Sequence, residues 1–275
     1  MTLYNSIGQG YNQTRQSDPR IVDKLIDLLD LPVGKTIADI GAGTGNYSNA
    51  IADRGYKVVA IEPSVTMKNQ AQPHQDVTWV TAAAESIPLD DNTVDGAIVM
   101  LALHHFENIA TGIKEIDRIV AKGNIVIFAF EQNKIADFWL TDYFPYFIED
   151  TQQRDSVSRG FLGTSRAQKT FPSTKAIANQ INQITQKQVE ILPFLLPPDL
   201  IDNFAAAGWC QPELYLNDAV RNGISTFSKM PIDLLETGIN NLTADLDRGV
   251  WLEKYGQIKQ QHSYDAGYRI LIAKC

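Results

Sequence analysis

The feature that most limits how this chain can fold is an alternation. Short apolar runs of strand length at 36–40, 57–62, 77–81, 94–100 and 124–131 are separated, in most cases, by stretches of helical spacing. The runs are continuously apolar, which suits strands buried on both faces of a parallel sheet. Strands alternating with helices imply βαβ units with right-handed crossovers. The expected fold is a doubly wound α/β sheet, in which ligands bind beyond the carboxyl ends of the strands.

Local signals place the helices. Asp18-Pro19 reads as an N-cap followed by proline at the first helical position, and Ile21, Val22, Leu25, Ile26 and Leu29 recur with helical spacing. This predicts a first helix over about 18–31, stopped by Pro32-Val-Gly34. Further helices are predicted near 45–54, 64–71 and 107–121. After Glu131 the rhythm breaks: residues 138–147 carry six aromatics, and a helix near 173–186 with an apolar run at 189–196 restores the pattern. A second irregular, helical region covers 198–263, before Tyr268-Arg-Ile-Leu-Ile-Ala-Lys274 closes as a last strand. The expected organisation is one domain over 1–275, with cap-like insertions at about 132–171 and 198–263.

Composition sets outer limits. With 24 Lys and Arg against 32 Asp and Glu, the formal charge is -8, which disfavours a general nucleic-acid or anionic-membrane binder. Cys210 and Cys275 cannot build a disulfide framework, and with four scattered histidines they show no zinc spacing, so no metal is expected. No apolar run approaches the roughly 20 residues of a membrane helix, and no export signal is visible in the first twenty residues. A cytoplasmic protein is expected.

The chemistry begins at Asp39-Ile-Gly41-Ala42-Gly43-Thr-Gly45, between the first strand and a helix, where glycines let backbone approach a ligand closely. A dinucleotide loop would need glycine or alanine at position 46, which is Asn46, and Asp39 would sit unfavourably near a pyrophosphate. A cationic nucleoside such as S-adenosylmethionine has no phosphate, and its ammonium and sulfonium favour the acid. Glu62 ends the second strand, where a carboxylate can accept from both ribose hydroxyls.

With these residues the sequence resembles the class I S-adenosylmethionine-dependent methyltransferases, especially the small-molecule branch that includes ubiquinone and menaquinone C-methyltransferases. The resemblance spans about residues 4–131: the acid Asp39, the loop Gly41–Gly45, Glu62, the segment Ala84-Glu85-Ser-Ile-Pro-Leu89 after strand three, and Val94-Asp95 opening strand four. It implies a Rossmann-like sheet of about seven strands, mostly parallel with an antiparallel last strand, and S-adenosylmethionine as cofactor with S-adenosylhomocysteine as product. Where the family often has an aspartate that accepts from the adenine amino group, this chain has Ala83. Backbone near Ala84 and packing against Pro63 or Ser64 are the expected substitutes.

Methyl transfer from a sulfonium needs alignment and water exclusion more than catalytic machinery. Leu101, His104 and His105 follow strand four at the edge where cofactor and acceptor would meet, and the histidine pair either lines and positions or exchanges a proton. The segment Tyr4, Tyr11 and Arg15 resembles the family's leading Tyr-x-x-x-Arg. Tyr11 and Arg15 either touch the ligands or only pack the N-terminal arm. The aromatics at 138–147 form a lid for an apolar or planar acceptor or, more commonly for such clusters, the inserted element's own core. The 198–263 region covers the pocket or makes a homodimer contact. The expected activity is transfer of a methyl group to an O, C or N atom of a small molecule without metal. Methylation of RNA or protein and non-catalytic cofactor binding are the alternatives.

Overall fold

A computed structural model describes residues 11–157 and 172–275. Seven strands form one sheet: β1 (Thr36–Ile40), β2 (Lys57–Ile61), β3 (Val77–Val80), β4 (Gly96–Met100), β5 (Ile125–Phe130), β6 (Gln188–Pro193) and β7 (Tyr268–Lys274). Their order is β3-β2-β1-β4-β5-β7-β6. The first five are parallel, and β7 runs antiparallel between β5 and β6, with Phe130 opposite Tyr268 and Phe128 opposite Ile270. The chain turns from β1 to β2 on one side and to β4 on the other, so the switch point lies between β1 and β4, where a doubly wound sheet opens a crevice.

Successive strand residues enter opposite cores, as a period of two requires. In β5, Val126 and Phe128 face one core, and Ile125, Ile127 and Ala129 the other; in β7, Ile270 and Ile272 oppose Leu271 and Ala273 in the same way. The first core is closed by helices α1 (Pro19–Leu29) and α2 (Asn46–Ala52). Ile113, Ile116 and Ile119 of α4 (Ile109–Ile119) close the second. The 64–71 prediction contracts to α3 (Val65–Lys68), capped by the Ser64 hydroxyl, which accepts from the Met67 amide. Strand four begins at Gly96 rather than Val94, because the Asp95 carboxylate turns aside to accept from the Thr36 amide at 2.9 Å and from Lys35.

Beyond β5 the chain forms a 3-10 turn (Gln132–Asp137) and helices α5 (Leu140–Tyr143) and α6 (Tyr146–Val157), then α7 (Thr174–Thr185) leads into β6. The 158–171 part of the first expected insertion lies outside the described residues. Between β6 and β7 stand α8 (Asp218–Asn222), α9 (Ser225–Lys229), α10 (Ile232–Asp247) and α11 (Val250–Tyr255). Helices α5 and α6 and the segment between β6 and β7 pack on the face that carries α1 and α2, whereas α7 joins α4 on the other. The aromatics Phe138, Trp139, Tyr143, Phe144 and Phe147 are buried there together with Trp209, Tyr215 and Trp251. The Trp139 indole donates to the carbonyl of Trp209 at 2.7 Å, joining one segment to the other. The aromatic run is therefore mainly core, and only Phe147 of that group reaches a cavity wall. No helix among the described residues is long and apolar enough to cross a membrane.

Candidate cofactor and acceptor site

The loop after β1 turns through Gly41 at φ +73° and Gly43 at φ +59°, a backbone region costly for residues with a side chain. A Cβ on Gly41 would lie 2.5 Å from the Cβ of Ala102, so the loop rests directly against the segment that follows β4. Its amides are largely committed within the protein. Those of Gly41 and Ala42 donate to the Ile61 carbonyl, that of Gly45 to the Ala42 carbonyl, and that of Gly43 to Glu62 Oε2 at 2.9 Å. A phosphate cradle turns such amides toward its ligand. This loop turns them onto β2 and a carboxylate.

Glu62 is 7% exposed, and its second oxygen accepts from the Ser64 amide at 2.7 Å. Burial raises its pKa above the usual carboxylate range, against the two amides that lower it. Each oxygen retains acceptor capacity, so the fixed carboxylate can take a pair of hydroxyls. Asp39 lies beneath the loop and is fully enclosed. Its Oδ2 accepts from the Ser48 hydroxyl at 2.6 Å, while Oδ1 is buried without a partner among the described residues. Burial pushes this carboxyl up to about 6, the Ser48 hydrogen bond opposing and the nearby Glu62 adding to the rise.

The N-terminal arm is fastened across this loop. The Asn12 side-chain oxygen accepts from the Thr44 hydroxyl and from Asn46 Nδ2, and Asn46 Nδ2 also reaches the Arg15 carbonyl at 2.6 Å. Arg15 extends to the other side, where Nε donates to Asp202 Oδ1 at 2.6 Å and Nη1 donates to the Tyr11 hydroxyl at 2.6 Å. Burial works against the Arg15 charge, yet the adjacent Asp202 and Tyr11 hold its pKa above the ordinary guanidinium value. Asp202, itself 1% exposed, also accepts from the Tyr47 hydroxyl at 3.0 Å.

On the opposite rim β4 ends at Met100, and Leu101 takes φ +49°, unusual for a residue with a side chain. A 3-10 turn (Leu103–His105) follows and sets the His104 and His105 rings 3.9 Å apart between centroids. Next to it Glu85 accepts from the Asn108 amide at 3.1 Å, where Asn108 caps α4.

These elements enclose one cavity of about 460 Å³ at the carboxyl edge of the sheet. Gly41, Gly43, Glu62, Pro63, Ala84 and Glu85 line one end, with Ala83 beside them; Tyr11, Arg15, Leu101, His104 and His105 line its flanks. Three expected cofactor residues stand off the wall: Asp39 below the loop, Ala42 bonded to β2, and Gly45 at the start of α2. Ser64, the alternative to Pro63, is buried as the α3 cap. Tyr4 lies outside the described residues.

The donor end fits a cationic nucleoside. A buried carboxylate oxygen lacking a donor among the described residues lies under the loop, the Gly41 position leaves no space for a side chain, and Glu62 presents fixed acceptors. A family model described as a methyltransferase domain matches residues 38–128. A crystal structure from Anabaena variabilis, described as a methyltransferase from an antibiotic biosynthesis pathway, is 44% identical; the match covers 96% of this chain and 100% of that one, with a TM-score of 0.86. The chain belongs to the class I S-adenosylmethionine-dependent methyltransferases. An uncharacterized methyltransferase of Mycobacterium tuberculosis is 27% identical over 208 residues, covering 74% of this methyltransferase and 77% of the relative. A demethylmenaquinone methyltransferase of Paenarthrobacter aurescens is 26% identical over 125 residues, covering 45% and 49%.

Several residues of the methyltransferase's site escaped the sequence reading. Asn12 and Thr44 act as a pair only through the fold, although Asn46, read there as a departure from a dinucleotide loop, marked the position they meet. Asp202 lies in a Pro-Pro-Asp-Leu-Ile-Asp stretch that reads as plain loop. Phe128, Phe130, Phe204 and Tyr268 complete the far wall of the cavity. Three of these four sit in or at the end of strands, where an apolar residue signals core before it signals a ligand.

Proposed function

We propose that this methyltransferase carries a methyl group to an O, C or N atom of a small-molecule acceptor, without metal, with all 275 residues serving as one domain acting in the cytoplasm. The observation that carries this reading is the continuity of the cavity, from Gly41 and Glu62 to Phe204 and Tyr268, with the histidine pair along its flank. S-adenosylmethionine supplies an activated methyl group on a sulfonium, whose bonding electrons return to sulfur as the acceptor bond forms. Glu62 is assigned the ribose hydroxyls, and the Ala83–Glu85 stretch with Pro63 the adenine. Asp39 contributes negative potential from beneath the loop, and Tyr11 and Arg15 close the site against water. His104 and His105 orient the acceptor and accept its proton where it carries one.

Incubation of the protein with methyl-labelled S-adenosylmethionine and a fractionated cell extract tests the acceptor class. Label is expected in the metabolite fraction. Label confined to RNA or protein would replace this reading with a macromolecular one.

The assignment of Asp39 carries a pH signature. In the folded free protein its carboxyl is raised to about 6 from 3.8, so the protonated form favours the fold, and that contribution, full below about pH 4, is lost as pH rises through 6. A bound cation reverses the preference and draws the carboxyl to its ionised form. Affinity for S-adenosylmethionine is therefore expected to weaken about tenfold between pH 7.5 and pH 5. Titration calorimetry should show that slope in the native protein and a flatter one in Asp39→Asn. Equal slopes would remove Asp39 from the binding account.

A further inference from the structure

The two ends of the cavity differ in charge and chemistry. From that difference we infer that the acceptor is an uncharged, planar, largely apolar molecule, held against a wall of Phe128, Phe130, Phe204 and Tyr268. This inference rests on the proposed methyl transfer to a small molecule and specifies its substrate class.

The wall is a product of strand pairing. The antiparallel register of β5 and β7 sets Phe130 opposite Tyr268. The Tyr268 ring then lies 5.6 Å from Phe128 at an interplanar angle of 11°, 5.1 Å from Phe130 and 4.6 Å from Phe204. All four residues line the cavity, from two strands and the segment after β6; Phe128, Phe204 and Tyr268 are at most 3% exposed, so Phe130 presents most of the aromatic surface and the other three rings back it. Phe147 and Ile224 line it from the two helical segments. Flat rings of a ligand gain stacking and edge contacts on such a surface in addition to burial.

Most hydroxyls at this end are engaged within the protein, with Gln132 and Ser225 the other polar residues of its lining. The Thr226 hydroxyl donates to Asp150 at 2.8 Å, and the Thr151 hydroxyl donates to the Ile148 carbonyl at 2.7 Å. The Tyr268 oxygen accepts from the Ala206 amide at 3.4 Å. A ligand rich in hydrogen-bonding groups would lose water there with little replacement.

Charge makes the selection sharper. Among the described lining residues the acidic side chains are Glu62, Glu85 and Glu107, and the only Lys or Arg is Arg15. Arg15 is already paired with the buried Asp202 at 2.6 Å. A carboxylate or phosphate on the acceptor would be desolvated against the aromatic wall, where the described lining holds no uncommitted guanidinium or ammonium and only the His104 and His105 imidazoles on the flank could carry positive charge. A cationic acceptor meets the opposite difficulty, since its charge would approach the sulfonium it must attack. A neutral acceptor avoids both.

Three probes sharing one ring system separate these cases: 2-naphthol, neutral at pH 7, 2-naphthoate, and 2-naphthylmethylammonium. Each is titrated by calorimetry into protein first saturated with S-adenosylhomocysteine, and failure of that saturation would overturn the methyltransferase reading itself. 2-Naphthol is expected to bind at least about tenfold more tightly than 2-naphthoate with the cofactor product bound, and than 2-naphthylmethylammonium when S-adenosylmethionine with its sulfonium is bound instead, a difference of about 1.4 kcal/mol in each case. Phe130→Leu should weaken 2-naphthol about fivefold and leave S-adenosylhomocysteine binding unchanged. Phe130 is half-buried, so Phe130→Lys is a further variant, expected to raise affinity for 2-naphthoate. Equal or tighter binding of either ion in its stated complex, no binding of 2-naphthol to the loaded protein, or 2-naphthol binding indifferent to Phe130→Leu would each overturn the inference.

Discussion

Glu62→Ala is expected to abolish measurable binding of S-adenosylhomocysteine while leaving the free protein close to its native stability. The carboxylate is held by the Gly43 and Ser64 amides at 2.9 and 2.7 Å and offers its remaining acceptor capacity to the cavity. Losing two charge-assisted hydrogen bonds to a ligand costs about 3–5 kcal/mol together, a hundredfold or more in affinity. The free protein has less to lose, because burial already raises the Glu62 pKa, so the fold works against the charge it holds. A calorimetric Kd within tenfold of native would remove the assignment. A large fall in the melting temperature of the unliganded variant would instead make Glu62 a structural residue. Glu62→Gln, which keeps one acceptor oxygen, should fall between native and Glu62→Ala.

The second large effect lies away from the glycine loop. Asp202→Ala would leave the Arg15 guanidinium buried with its partner gone and remove the acceptor of the Tyr47 hydroxyl. Breaking a buried ion pair from one side costs about 3–5 kcal/mol, which for a chain of this size lowers the melting temperature by about 10 °C. The paired replacement Arg15→Met with Asp202→Leu should recover much of that loss, because it buries no unmatched charge. Both are read by thermal and urea unfolding. A single variant within 1 kcal/mol of native would show that the pair does not hold the arm to the rest of the protein.

What could be read from sequence, and what could not, follows from the range over which each feature is determined. The limits of β1 and β7 match expectation, because apolar strand runs flanked by turn residues are local signals. The first helix, with its Asp18-Pro19 start, needs nothing from the rest of the chain. The glycine loop and Glu62 are legible for a related reason: a strand followed by a tight turn brings them together whatever the caps do. The aromatic wall depends on which strand β5 pairs with and in what register. Neither Phe128 nor Tyr268 carries that information in its neighbourhood, so both read as core. Asp202 is invisible for the same reason, its meaning residing in Arg15, 187 positions away. The late start of β4 shows a local signal overridden by a side chain that pairs with the backbone.

The antiparallel placement of β7 has a consequence for how such a protein can diversify. Because that strand returns from the far end of the chain to stand beside β5, the surface assigned to the acceptor is assembled mostly from residues beyond 127, while the surface assigned to the donor comes from the first 110. The two halves answer to different stretches of sequence. Drift or recombination in the later stretch can retune what is methylated while the earlier one goes on delivering the methyl group unchanged.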